Sequence, residues 1–393
     1  MSNNEVFIVG YGITKFGEQY STNPSSSAST AITSAIHNAK ISKDLIQGLY
    51  FGSLLSNTNL QPFVGAEAAR ECNLNVPISK VDAGNASGAA AFHQAFMAVK
   101  SGLLDCIVVL GTEKTSDYVN SSKIEQILGG TIDYLWEFEQ GATLTSLYAW
   151  MTQAHMNEHN TTLEQLASVP VKNHRNGVNN PIAQYRREIS LERFLKAKRI
   201  SDPIGRFDPA THCDGSAAVI IVSDKFVKQH SEVEQKAKIV GSAQASDKLA
   251  LHHRTTLSSL MATKVASKNA YSMAKIAPED ISIAEVHDSY PIGEILAIED
   301  LGFFPKGEGG KATIEGKTQI NSDISVNTSG GLKARGDPFG ATGIAQIIEI
   351  VQQINGEADK RQVDDIKFGL AQNVMGTGAS SLVNIFSNME DDK

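Results

Sequence analysis

Cysteine is nearly missing from this sequence: three thiols, Cys72, Cys106 and Cys213, are scattered through 393 residues. That scarcity excludes a disulfide framework and a cysteine-built metal site, and free thiols suit a reducing compartment, so a cytoplasmic location is expected. Long apolar runs are missing as well. Stretches such as Cys106-Ile-Val-Val-Leu110 and Ala217-Ala-Val-Ile-Ile-Val222 fall far short of the roughly 20 residues needed to cross a bilayer, so no membrane segment is expected. The start, Met1-Ser-Asn-Asn-Glu5, leads into a strand without a basic region or a cleavable apolar stretch, the mark of an export signal. Blocks of like charge are absent and the net charge is −8, which gives no reason to expect nucleic acid. What is present is a globular composition, 41% hydrophobic and 20% charged. The length exceeds one ordinary core, so two domains or two halves are expected.

An internal repeat orders the chain. Val6-Phe-Ile-Val-Gly10 and Lys238-Ile-Val-Gly241 both read as buried strands. Each is followed by an apolar-periodic helix ending Ala-Lys-Ile, over Ala31–Ile41 and Val265–Ile276, and then by a strand, Gly48–Gly52 and Ile283–Val286. Strand, small-residue turn and helix come next: Ile78–Ala83 through Asn85-Ala-Ser-Gly88 into Ala89–Lys100, and Ile324–Val326 through a Gly-rich loop into Ile344–Ile354. Final strands fall at Ala217–Val222 and Ser381–Phe386. Alternating strands and helices imply α/β layers with mostly parallel sheets. Two like halves would pack face to face, with equivalent turns at a shared centre. The halves are expected over 1–230 and 231–393. The first encloses a mostly helical, polar insertion at 115–210, long enough to serve as a lid, ligand wall or interface.

Asn85 stands where chemistry is expected. A strand-to-helix turn of small residues aims backbone N–H groups and the positive end of the helix dipole at one point. A cysteine there would be a nucleophile; an amide has no proton to lose. In the second half, Glu285-Val-His287-Asp288-Ser289-Tyr290-Pro291 lies at the end of a strand, where ligands meet open α/β sheets. Its His and Asp either do acid–base work and donate to an oxyanion, or tie the loop. The stretch Asn327–Gly343 holds five glycines in 17 residues, Gly330 among them, and these permit close backbone approach to a ligand. Asp337, between Gly336 and Pro338, is either a positioned carboxylate or part of an ordinary turn. Asn373-Val-Met-Gly376-Thr-Gly378 offers a further backbone N–H site. Two motifs carry no weight. His155-Met-Asn-Glu158-His159 has inverted zinc-protease spacing but no third ligand in a helical context, so no metal site is expected. Gly10-Tyr-Gly12 lacks the third glycine of a dinucleotide turn.

Together these motifs resemble the thiolase superfamily, specifically its sterol-carrier-type and archaeal acetyl-CoA acetyltransferase-like branch. The likeness runs end to end: Ile8–Gly17, Ala86-Ser-Gly88 with Gly111-Thr-Glu-Lys114, Lys172-Asn-His with Asn180-Pro181, Asp214-Gly-Ser-Ala-Ala-Val, His287-Asp-Ser-Tyr, Gly336-Asp-Pro and Gly376-Thr-Gly. The resemblance implies a duplicated five-layer α/β/α/β/α thiolase fold, usually a homodimer or tetramer, with the insertion over the active site. It implies a coenzyme A thioester as substrate or ligand and no covalently bound cofactor. It also implies Claisen condensation or thiolysis through a cysteine acyl-enzyme.

This sequence departs from that pattern at three places. The acyl-accepting cysteine aligns with Asn85, the activating histidine with Asp337 and the proton-shuttling cysteine with Ser289; His287, an oxyanion donor in the family, remains. Three readings follow. In the first, His287, Asn85 and backbone N–H groups near Gly376 and Gly378 hold a thioester oxygen while Asp337 or Tyr290 moves a proton, in a retro-aldol or related carbon–carbon cleavage. In the second, the chain is a silent acyl-CoA-binding subunit, paired with a small zinc-ribbon/OB-fold protein as in that branch. In the third it is an ordinary acetoacetyl-CoA thiolase using a remaining cysteine.

Overall fold

The computed structural model describes residues 4–57, 63–118 and 121–389. Its strands are β1 (Val6–Ile13), β2 (Gly48–Gly52), β3 (Ile78–Val81), β4 (Cys106–Glu113), β5 (Arg199–Ser201), β6 (Ile204–Gly205), β7 (Gly215–Ser223), β8 (Ala237–Ser246), β9 (Ile281–Glu285), β10 (Ser325–Val326), β11 (Phe368–Met375) and β12 (Ser380–Ser387). Apart from the small β5–β6 hairpin they form one mixed sheet, in the order β3-β2-β4-β7-β1 and then β8-β12-β11-β9-β10.

The second five strands repeat the first. β2 runs parallel to β3 and β4, as β9 does to β10 and β11. β7 is antiparallel to β4 and β1, as β12 is to β11 and β8. The halves join where Phe7 faces Lys238 and Ile8 faces Ala237. Local signals repeat too. The helix Pro24–Ala39 ends on Lys40 at φ 55, and Met261–Ala274 ends on Lys275 at φ 58, each a left-handed cap that turns the chain toward the next strand.

The helices Ser87–Lys100 and Thr342–Ile354 lie between the two sheet halves. Ala91, Phe92, Ala95 and Phe96 of one share a core with Ile344, Ile347, Ile348 and Val351 of the other. Pro24–Ala39 covers the outer face of the first half and Met261–Ala274 that of the second, which completes five layers. The expected meeting of equivalent turns is found at the centre. A Cβ on Gly88 would lie 2.0 Å from the Gly340 carbonyl oxygen, and one on Gly343 would lie 2.7 Å from the Ala89 Cβ. Backbone-to-backbone contact there leaves room for glycine alone.

The insertion is mostly helical, with helices at Ser121–Gly129, Leu144–His159, Leu163–Gly177 and Leu191–Leu195. Leu163–Gly177 clamps the loops that carry the site. Lys172 Nζ pairs with Glu294 at 2.7 Å, and Asn173 Nδ2 donates to Asp288 at 2.7 Å and to Glu294 at 2.9 Å. His155 is a packed core residue: its ring meets Thr161 Oγ1 at 2.7 Å and Glu299 at 3.0 Å.

Candidate active site

Asn85, Ser289, Tyr290 and Asp337 converge on one cavity of about 250 Å³, also lined by Glu125, Leu144, Thr145, His212 and Phe339. Each arrives from a different element. Asn85 follows β3 across Gly84, at φ +58. Ser289 and Tyr290 follow β9, and Asp337 follows the short helix Gly331–Arg335, which ends on Gly336 at φ +107. Asp288 holds this helix start. Its carboxylate accepts the N–H groups of Leu332 at 2.6 Å and Lys333 at 3.3 Å, so it is the loop tie rather than the acid–base group.

Asn85 is fixed at both ends of its amide. Nδ2 donates to the Val374 carbonyl at 3.1 Å, and Oδ1 accepts the Gly376 N–H at 2.9 Å. Those backbone partners allow one orientation, which turns Nδ2 toward His287 Nε2 at 3.3 Å. His287 is oriented by a chain of amides. Gln346 Nε2 donates to the Gln372 carbonyl at 3.0 Å, so its Oε1 accepts from Asn373 Nδ2 at 2.9 Å. The same Asn373 nitrogen faces His287 Nδ1 at 3.1 Å. Nδ1 must therefore accept, and the ring proton is assigned by this network to Nε2. The arrangement leaves Asn373 Oδ1 without a partner; flipping that amide would set it against Gln346 Oε1, which is worse.

Two donors thus stand side by side, Asn85 Nδ2 and His287 Nε2, and cannot satisfy each other. A shared oxygen acceptor would satisfy both, which is the geometry of an oxyanion site. Burial lowers the His287 pKa to about 4, Arg335 pushes the same way and Asp337 opposes. The ring is neutral at neutral pH. Between its ordinary pKa of 6.5 and about 4 the unfolded chain takes up a proton that the folded chain refuses. Stability at this residue therefore falls as pH falls through that window, by about 3 kcal/mol. Urea denaturation at the two ends of the window should find wild type losing about that much more than His287→Gln. Equal losses would mean that the folded protein accepts the proton.

The three expected backbone donors are not free. The Gly376 N–H goes to Asn85, the Gly378 N–H to the Met375 carbonyl at 2.9 Å, and the Gly330 N–H to the Asn327 carbonyl at 3.0 Å. These glycines have φ of +54, +102 and +96 and make turns; the N–H groups of Gly378 and Gly330 close those turns, while that of Gly376 is taken by the Asn85 side chain. Asp337 Oδ1 accepts the Thr342 hydroxyl at 2.6 Å. Tyr290 stacks on Tyr148 with centroids 4.3 Å apart, and its hydroxyl meets Thr145 Oγ1 at 2.8 Å. Burial raises the Tyr290 pKa, so the phenol stays protonated. Ser289 Oγ lies at the long distance of 3.5 Å from Tyr148 Oη.

All three thiols are poor nucleophiles. Burial pushes the Cys106 pKa up to about 12 and raises those of Cys72 and Cys213, and none of the three lines the cavity. Two features of the site went unread in the sequence. His212 lies just before Cys213-Asp214-Gly215, and only the fold brings it to Asp337. Asn373 and Gln346 look like surface amides but are buried.

A five-layer duplicated α/β fold with a site at the start of its central helices defines a thiolase-type protein. Accordingly, residues 6–225 match the family model for the thiolase N-terminal domain and 243–388 that for a thiolase C-terminal domain-like region. The chain belongs to the thiolase superfamily, which works on coenzyme A thioesters. It is 40% identical to an acetyl-CoA acetyltransferase of Methanothermobacter thermautotrophicus, over 98% of this chain and 99% of that one. It is 28% identical to sterol carrier protein 2 of Bos taurus, over 98% of this chain and 72% of the relative. Among solved structures, an Ltp2-ChsH2(DUF35) aldolase superposes with a TM-score of 0.84 at 22% identity, over 98% of both chains. At that identity the likeness speaks to the fold.

Proposed function

We propose that this chain binds a coenzyme A thioester and makes or breaks the carbon–carbon bond beside its carbonyl by enolate chemistry, without a cysteine acyl-enzyme. The observation that carries the reading is that Asn85 Nδ2, with one N–H beyond its bond to the Val374 carbonyl, faces His287 Nε2 at 3.3 Å, donor against donor. In this reading Asn85 occupies the place of the family's acyl-accepting cysteine, and Asp337 and Ser289 the places of its two chemical partners. Covalent catalysis needs a nucleophile at that point; stabilising an enolate needs donors aimed at its oxygen. A retro-aldol cleavage of a β-hydroxyacyl-CoA fits such a site. The similarity in fold to a protein described as an aldolase is consistent with it.

Acetyl-CoA in D2O tests the proposal. The expected results are exchange of its methyl protons, cleavage of at least one member of a β-hydroxyacyl-CoA series, and no covalent adduct by intact-mass spectrometry. A mass increment of one acyl group, or steady thiolysis of acetoacetyl-CoA, would sink it. Either result would restore the acetyltransferase activity for which the Methanothermobacter relative is named. A second reading, a silent binding subunit of a larger assembly, draws on the tethering of Asn85 to the backbone of β11. It predicts tight acetyl-CoA binding with no exchange unless a partner protein is added. Both readings are compatible with a homodimer or tetramer and with a small zinc-ribbon/OB-fold partner.

A further inference from the structure

The two groups first expected to carry the proton of the enolate reading each already hold a hydrogen bond. Asp337 Oδ1 is held by Thr342 at 2.6 Å, and Tyr290 is a protonated phenol bonded to Thr145. A third group shares the cavity. The backbone around His212 is laced to Asp337 on both sides: the Asp337 N–H donates to the Thr211 carbonyl at 3.1 Å, and the Cys213 N–H donates to the Asp337 carbonyl at 3.3 Å. This pairing fixes the His212 ring beside the carboxylate, with Nδ1 4.0 Å from Asp337 Oδ2. The ring leans on Phe339, with centroids 4.5 Å apart. Nδ1 is closed off from solvent and has no hydrogen-bond partner. The side chain is nevertheless 35% exposed and lines the cavity, and with Nδ1 closed off Nε2 is its accessible nitrogen.

We infer that His212, held beside Asp337, is the catalytic base of this site. The inference rests on the proposed enolate chemistry and names the residue that moves its proton. Nε2 takes the β-hydroxyl proton of the bound thioester as the Cα–Cβ bond breaks. The β-carbon leaves as an aldehyde or ketone. The bonding pair passes to the thioester as an enolate, whose oxygen sits on Asn85 and His287. The imidazolium, stabilised by the Asp337 carboxylate, then returns the proton to Cα and yields the shortened acyl-CoA. No oxidant, metal or second substrate is required. In reverse the same base removes an α-proton from acetyl-CoA. Burial lowers the His212 pKa, while the carboxylates that face it, Asp337 and Glu125, oppose the shift. The net direction is down, so the base form prevails at neutral pH.

Exchange of acetyl-CoA methyl protons in D2O, followed by NMR, reads this step directly. His212→Gln should lose at least about 100-fold in rate while binding acetyl-CoA as wild type does in calorimetry. The exchange lost in His212→Ala should return with added imidazole. The wild-type rate should fall on an acid limb below the ordinary imidazole range, and that limb should vanish in His212→Gln. Exchange in His212→Gln at the wild-type rate with the same limb overturns the assignment of His212 alone, provided Asn85→Ala is slow. Absence of exchange in wild type overturns the enolate reading itself.

Discussion

Alanine at Asn85 should slow α-proton exchange on acetyl-CoA by roughly 10²–10³-fold, the usual cost of one oxyanion donor. The same change should cost about 1–3 kcal/mol of stability, because it strips a partner from two buried backbone groups, the Val374 carbonyl and the Gly376 N–H. The two effects separate cleanly. His287→Ala removes the neighbouring donor and leaves the Val374 and Gly376 backbone groups paired, losing instead the contact with the Asn373 side chain, so it should show the kinetic loss with a different stability cost. If both donors hold one oxygen, the double variant should lose less than the product of the single losses, because residues that act as a unit are not additive. An Asn85→Ala protein that is less stable yet exchanges protons at the wild-type rate would reduce Asn85 to a structural tether. The silent-subunit reading would then be preferred.

The second large effect lies beneath the site. Arg335 is 1% exposed and pairs with fully buried Glu285, Nη1 to Oε2, at 3.2 Å. Its Nε and Nη2 have no partner, so the pair's desolvation is incompletely compensated. Arg335→Met should destabilise the protein by about 3–5 kcal/mol, since it strands the Glu285 carboxylate in the interior. Burial already holds the Glu285 pKa above the ordinary carboxylate range, and the Arg335 charge is what opposes it. The double variant Arg335→Met, Glu285→Gln should recover much of the loss, because it removes both charges. Urea denaturation of the four proteins checks this. A double variant as unstable as the single one would show that Arg335 acts through packing alone. Arg335 lies two residues before Asp337, so the single variant should also disturb the His212–Asp337 pairing and lower the exchange rate.

Much of the architecture was legible because the two halves repeat the same local signals. The Ala-Lys-Ile helix ends, the following strands and the small-residue turns are all short-range features. Their duplication foretold the contact of Gly88 with Gly340 and of Gly343 with Ala89. β11 escaped the reading because Gln372 and Asn373 interrupt its apolar run, and those amides are buried to orient His287. Asn85, Ser289, Tyr290 and Asp337 could be singled out because each sits at a strand end or in a turn of small residues. His212 could not, since its neighbours in sequence are ordinary and its partner lies 125 positions away.

The sequence by itself determined the α/β class, the duplication, the presence of an insertion and the absence of a thiol at the central helix. All of these depend on residue type and on spacing along the chain. The tertiary structure decided which groups are free to act. It showed that the N–H groups of Gly330 and Gly378 are taken up in turns and that of Gly376 by Asn85, that Asp288 ties a helix, and that Asn85 Nδ2 and His287 Nε2 lie 3.3 Å apart. A hydrogen bond is a property of position and orientation across the fold, so whether a donor is occupied or available can be read only after the chain has brought its partners together.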